Sequence, residues 1–221
     1  MRIIVITRPS FFDGETALVN ELFRGGLEKL HLRKPGATEQ QLAEWLQDIE
    51  PEYIGRIVLH DCHGLARRFP VGGVHLNSRN PDAPDFIGAE HPAENGARRL
   101  TVSRSCHSIA EVQKYKANCD YLFLSPIYDS ISKEGYGSAF SRIDLRKAAD
   151  DGIIDSKVCA LGGVSAEHIP ELKELGFGGA AVLGALWQSA NPAEYLRILQ
   201  ENEHKYIAYF QRVTMKTQGN M

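Results

Sequence analysis

The sequence predicts an α/β fold, a single closed (β/α)8 TIM barrel, and three observations predict it. Short runs rich in Val, Ile and Leu recur eight times and alternate with segments of helical, amphipathic spacing. The runs are near-continuously apolar instead of alternating, the pattern of strands buried on both faces in a parallel sheet covered by helices. The chain has 221 residues, a length suited to one such barrel. An open doubly wound sheet is the alternative, and it stands behind because open sheets more often carry fewer strands in this length.

The elements follow in order. Arg2–Thr7 reads as the first strand, and Gly14–Phe23 as a helix with Leu18, Leu22 and Phe23 on one face, stopped by Gly25 and Gly26. Lys29–Leu32 is the second strand, and Glu39–Ile49 the next helix, with Leu42, Trp45, Leu46 and Ile49 inward. Ile57–Leu59 and Val74–Leu76 are the third and fourth strands, and Asn80–Arg99 carries only a weak helix signal. Leu100–Ser103 is the fifth strand, followed by a helix over Ile109–Tyr115. Tyr121–Leu124 is the sixth, then come a long loop and a helix near Asp144–Asp150. Val158–Leu161 is the seventh strand, Ala166–Leu175 a helix with Pro170 in its first turns, and Ala180–Leu183 the eighth strand. Pro192–Phe210 closes the fold as a long helix. Residues 1–221 read as one domain, with about 211–221 a frayed C-terminal tail.

Composition narrows the function. Apolar residues make up 43% and charged residues 24% of the chain, and the net charge is −3, which argues against a nucleic-acid partner. No apolar run approaches the ~18–20 residues of a membrane span, and Met1–Thr7 lacks the layout of a signal peptide. A cytoplasmic protein with no membrane partner is the expectation. Cys62, Cys106, Cys119 and Cys159 are widely spaced and read as free, largely buried thiols. The sequence leaves the oligomeric state open and is compatible with a homo-oligomer.

In such barrels the chemistry sits at the C-terminal ends of the strands. Gly162-Gly163 after strand seven and Leu183-Gly184 after strand eight let the backbone approach a ligand and expose N–H groups, which suits a phosphate; tight turns alone are the plainer reading. The loop Ser125–Tyr136 is long enough to be a lid and carries Ser130, Ser132 and Lys133, groups suited to phosphate oxygens. Arg33 after strand two offers a planar fork for phosphate or carboxylate, with Lys34 expected to face outward by alternation. After strand three, His60-Asp61-Cys62-His63 is too crowded for one tetrahedral zinc. Asp61 there could hold Mg²⁺ beside phosphate oxygens, and His63 is expected at the surface. After strand five, His107 is a candidate proton shuttle or a capping residue, and Cys106 a buried thiol and not a nucleophile.

Taken together, these strand ends resemble the thiamine phosphate synthase superfamily, which includes the thiazole tautomerases. The resemblance runs from strand two to strand eight. It is carried by Gly73-Val74-His75-Leu76, Ser105-Cys106-His107-Ser108, Ser125-Pro126-Ile127-Tyr128 with Ser130, Ser132 and Lys133, and Gly162-Gly163-Val164. The resemblance implies joining of hydroxymethylpyrimidine diphosphate to thiazole phosphate through a pyrimidine carbocation, with Mg²⁺ and basic residues stabilising the departing pyrophosphate. It assigns Arg33, Ser105 and Lys133 to that chemistry, with Ser130, Ser132, Gly162 and Gly163 around phosphate and Asp61 on metal. Departures are also clear. Pro35 stands where the family has a lysine, with Lys34 one place early; His60 replaces an asparagine, Asn80 the second metal carboxylate, and Gly184 the usual serine.

Three functional readings fit. The first is a synthase, favoured by Asp61 and Lys133. The second is a thiazole phosphate tautomerase with His107 as acid/base, favoured by Pro35, His60 and Asn80. The third is a non-catalytic phosphate-binding barrel. The first leads, with small phosphorylated thiazole and pyrimidine diphosphate molecules as partners.

Overall fold

A computed structural model describes residues 1–87, 99–129 and 139–203. Eight parallel strands close into a barrel in sequence order: β1 (Arg2–Ile6), β2 (Lys29–Leu32), β3 (Ile57–Leu59), β4 (Gly73–Leu76), β5 (Thr101–Cys106), β6 (Tyr121–Leu124), β7 (Val158–Ala160) and β8 (Gly179–Val182). β8 closes on β1 with Arg2 opposite Gly179 and Val5 opposite Val182. The helices are α1 (Glu15–Arg24), α2 (Glu39–Gln47), α3 (Pro51–Ile54), α4 (Ile109–Tyr115), α5 (Arg142–Asp150), α6 (Ile169–Glu174), α7 (Gly184–Trp187) and α8, described over 192–203. No helix among the described residues is long and apolar enough to cross a membrane.

The apolar strand runs conceal a period of two, because both faces are buried. One set of side chains (Ile3, Val5, Leu30, Leu32, Leu122 and Leu124 among them) points outward and packs on helix residues such as Leu22, Phe23, Leu42 and Leu46. The other set points into the barrel: Ile4, Ile6, Tyr121, Phe123, Cys159 and Ala181, with Leu161 and Leu183 against them. Helix starts follow local side-chain chemistry. Thr38 and Gln41 form a reciprocal capping box on α2, Ser141 and Asp144 one on α5, and Ser108 caps α4.

Four details differ from the sequence expectation. β5 runs on to Cys106, because pairing continues through Leu76 opposite Arg104 and Cys106 opposite Leu124. The helix expected over Ala166–Leu175 begins as a 3-10 turn, Ala166–His168, and becomes α6 only from Ile169, with Pro170 in its first turn. His63 was expected at the surface, yet it is buried, because the chain turns at Cys62 (φ 50°) and starts a 3-10 segment, His63–Arg67, against the barrel. Lys34 was expected to face outward. It is 1% exposed, because β2 ends at Leu32 and strand alternation no longer applies. Its ammonium instead meets Glu15 at 2.6 and 2.7 Å and the Ser10 carbonyl at 2.9 Å. The Trp45 indole N–H donates to the same Glu15 carboxylate at 3.2 Å. Burial pushes Glu15 up and Lys34 down from their ordinary values, while their mutual contact opposes both shifts. Residues 88–98 within the weakly signalled stretch, and the tail beyond 203, lie outside the described residues.

Candidate active site at the C-terminal rim of the barrel

Because all strands run parallel, their C-terminal ends share one rim. Arg33, Asp61, Asn80, Ser105, His107, Gly162, Gly163, Leu183 and Gly184 all lie at or just beyond those ends. Ser130, Ser132 and Lys133, the other residues singled out from the sequence, lie outside the described residues, as does most of the expected lid after Asp129.

The turns after β7 and β8 are neighbours, since Ala160 pairs with Ala180. Gly162 and Gly163 have φ of 91° and 64°, left-handed values that suit glycine. A Cβ on Gly163 would lie 2.4 Å from the Asp129 carbonyl oxygen, and one on Gly162 would lie 2.8 Å from Pro126. These glycines therefore let the β6 and β7 loops touch. Tyr128 N–H donates to the Gly162 carbonyl at 3.0 Å and Ile127 N–H to that of Leu161 at 2.9 Å. The Tyr128 ring stacks on His168 at 3.7 Å, and its hydroxyl donates to Glu171 at 3.0 Å. Among the described residues, no backbone carbonyl accepts from the N–H of Gly162 or Gly163. After β8, Gly184 begins α7, where first-turn N–H groups have no helical acceptor.

Beneath the rim, the part of the barrel interior next to β2–β5 carries a buried polar cluster, which the sequence motifs did not announce. His31, His60 and His75, on or just after three consecutive strands, are 0%, 4% and 0% exposed. His31 joins His60 at 2.8 Å and the Tyr121 hydroxyl at 2.7 Å. His75 joins Ser103 and Ser105, each at 2.8 Å. The rings of His60 and His75 stack at 4.1 Å. Ligand atoms of the three histidines lie within 4.8 Å of one another, near enough to share a metal. The short contacts between ring nitrogens and hydroxyls instead describe a hydrogen-bonded network. Burial lowers all three from the ordinary histidine value, His75 to about 3, with nearby His63, Arg104, Arg33 and Arg79 adding to the effect there. The cluster is therefore neutral at pH 7. The sequence did hold a signal: Leu30 and Leu32 point outward, so His31 between them points in.

Around the mouth, Ser105 is half-buried and held by His75, and His107 is exposed. His107 Nδ1 lies 3.1 Å from the Ser125 carbonyl and 3.3 Å from its hydroxyl, which ties the β5 loop to the β6 loop. Cys106 is fully buried, and burial pushes its thiol up to about 12, so it is no nucleophile. The Arg33 backbone is fixed by Thr7, whose hydroxyl accepts from Arg33 N–H at 2.9 Å and donates to its carbonyl at 3.1 Å. Burial lowers the Arg33 guanidinium from its ordinary value, and Arg79 adds to that while Asp61 opposes it.

Asp61 and Asn80 are brought together, with Asn80 Nδ2 donating to Asp61 Oδ1 at 3.1 Å. Arg79 lays a fork on the same carboxylate, with Nε to Oδ1 at 3.1 Å and Nη2 to Oδ2 at 3.2 Å. A hard divalent cation seeks several oxygen ligands. Here the one carboxylate is already paired with a cation, and its neighbour presents an N–H group. This donor set does not fit Mg²⁺ as arranged.

Comparisons with known proteins agree with the barrel fold. The model of the family described as thiamine monophosphate synthase matches residues 3–186. A thiamine-phosphate synthase of Herpetosiphon aurantiacus is 28% identical over 186 residues, 82% of this chain and 85% of that one. The crystal structure of a thiamine phosphate pyrophosphorylase from Bacteroides thetaiotaomicron superposes with a TM-score of 0.78 at 38% identity, covering 91% of this chain and 97% of that one. A Pyrococcus furiosus thiamine phosphate pyrophosphorylase, at 21% identity and TM-score 0.70, shares the fold over 93% of this chain and 96% of its own. A closed eight-stranded barrel, a family model matched over residues 3–186 and a solved structure 38% identical over 91% of the chain lead to one assignment: the chain belongs to the thiamine monophosphate synthase family of enzymes.

Proposed function

We propose that this single-domain enzyme joins hydroxymethylpyrimidine diphosphate to thiazole phosphate, giving thiamine phosphate and pyrophosphate. The match to the Bacteroides pyrophosphorylase over 91% of this chain carries this reading, and the rim geometry supports it. The C–O bond of the pyrimidine diphosphate breaks, pyrophosphate leaves with the electron pair, and the thiazole nitrogen attacks the carbocation left behind. Arg33 meets the leaving charge with its fork, and Lys133 is assigned to the same charge. The backbone N–H groups of Gly162 and Gly163, the backbone at Leu183-Gly184, and the hydroxyls of Ser130 and Ser132 are assigned to the thiazole phosphate. Ser105, held by His75, and His107, held by Ser125, are assigned to the thiazole ring.

The neutral histidine floor has a role in this reaction. A protonated imidazole beneath a forming carbocation would oppose it by charge repulsion, and burial holds His31, His60 and His75 unprotonated at pH 7. Soluble phosphorylated substrates also suit a cytoplasmic setting. Incubating purified protein with both substrates should yield thiamine phosphate, and omitting either should yield none. Absence of product while thiazole phosphate still binds would overturn the proposal.

A further inference from the structure

Asp61 and the turn after β4 form a closed assembly. Asn77 and Asn80 exchange backbone hydrogen bonds at 3.0 and 3.1 Å. The Asn77 side-chain oxygen accepts the N–H groups of Arg79 at 2.9 Å and Asn80 at 3.2 Å. The amides of Asn77 and Asn80 both donate to the His60 carbonyl, at 3.1 and 2.9 Å, which staples this turn to the end of β3. The orientation of the Asn80 amide is chemically determined. Turning it over would set its oxygen against the His60 carbonyl and the Asp61 carboxylate, three acceptors without a donor. Arg79 is thereby presented over Asp61, its side chain 43% exposed toward solvent and that of Asp61 only 15%.

We propose that Arg79 occupies the role a divalent cation would play at Asp61, and that Arg79 and Arg33 together form a metal-independent site for a pyrophosphate group. Asp61 then orients a guanidinium instead of ligating a metal. Charge supports this assignment. Arg33 lies within electrostatic reach of both Asp61 and Arg79. Two guanidiniums against one carboxylate leave the assembly with a net positive charge and no ion to recruit, since Asn80 supplies no second negative charge. Two planar forks match the oxygens of a diphosphate. The Arg79 side chain is 43% exposed, so a polyanion can be engaged while Asp61 is kept or exchanged.

This inference rests on the reaction proposed above only for the identity of the anion, and binding tests it separately. Inorganic pyrophosphate is titrated calorimetrically into the full chain, in EDTA and again in millimolar Mg²⁺. Binding in EDTA, changed by less than threefold on adding Mg²⁺, is the expected result. Arg79→Gln should weaken that binding at least tenfold, and Arg79→Lys should fall between, keeping the charge but losing the fork. Circular dichroism melts establish that the variants fold. The double variant Arg79→Ala/Asn80→Asp should bind pyrophosphate only when Mg²⁺ is present. Pyrophosphate binding that requires Mg²⁺ in the wild type, no binding in either condition, or full binding by Arg79→Gln would each overturn the proposal. Metal-free pyrophosphate binding without thiamine phosphate synthesis would remove the reaction and leave this site. Synthesis that stops in EDTA, with no metal-free binding, would leave the reaction and remove the site.

Discussion

Acidification should unfold this protein from the inside of its barrel. His75 is buried with a value of about 3 against an ordinary 6.5, chiefly because burial disfavours its charged form. An unfolded chain regains the ordinary value, so between those limits it binds a proton that the folded state refuses. Stability is therefore complete above the unfolded value and falls as pH drops below it. At pH 5 the loss from His75 alone is about 2 kcal/mol. His31 and His60 are lowered for the same reason and act in the same direction. Domain stabilities lie near 5–15 kcal/mol, so the cluster can remove a large share of the total. Urea titrations at pH 7 and pH 5 read this directly, and with a slope of about 2 kcal/mol/M the midpoint should fall by about 1 M or more. In His75→Gln the pH-dependent loss should shrink by about 2 kcal/mol, since that variant keeps a polar group but cannot titrate there. Equal midpoints at pH 5 and pH 7 in the wild type would refute the reasoning.

Other perturbations have equally defined outcomes. Lys34→Met strands the Glu15 carboxylate, 2% exposed, without its cation. It should lower unfolding stability by about 3–5 kcal/mol, and adding Glu15→Leu should recover most of that loss in the same urea titration. Gly163→Ala places a Cβ 2.4 Å from the Asp129 oxygen at φ 64°. It should cost at least the about 1–2 kcal/mol of left-handed strain, seen as a lower melting temperature together with a raised KM for thiazole phosphate. Ser105→Ala removes a hydroxyl held by His75. Loss of one hydrogen bond to a developing-charge group should reduce kcat/KM by about ten- to a hundredfold, and leaving the buried His75 Nε2 without its partner should lower stability by about 1–3 kcal/mol, seen as a lower melting temperature.

The barrel was legible because doubly buried parallel strands write themselves as uninterrupted apolar runs, and because the caps at Thr38, Ser108 and Ser141 are local. Strand ends were less legible. β5 continues past Ser103 through the polar pair Arg104-Ser105 to Cys106, because the neighbouring strands supply pairing that composition does not announce. Lys34 was misplaced because its partner, Glu15, is nineteen residues away on a helix. The histidine floor is distributed over three consecutive strands, with His31 and His75 in two of them and His60 just past the third, and only the closure of the barrel assembles it. Asp61 stood out as an acid at a strand end. The fork that covers it depends on the closed turn at Asn77–Asn80, which a lone Arg79 in the sequence does not signal.

The most direct test of the whole account is a quenched time course with both substrates, counting pyrophosphate and thiamine phosphate from the same samples. The two products should appear in a one-to-one ratio and cease together when either substrate is withheld. Pyrophosphate accompanied by free hydroxymethylpyrimidine, or no pyrophosphate at all, would contradict the claim that this rim carries a carbocation to the thiazole nitrogen.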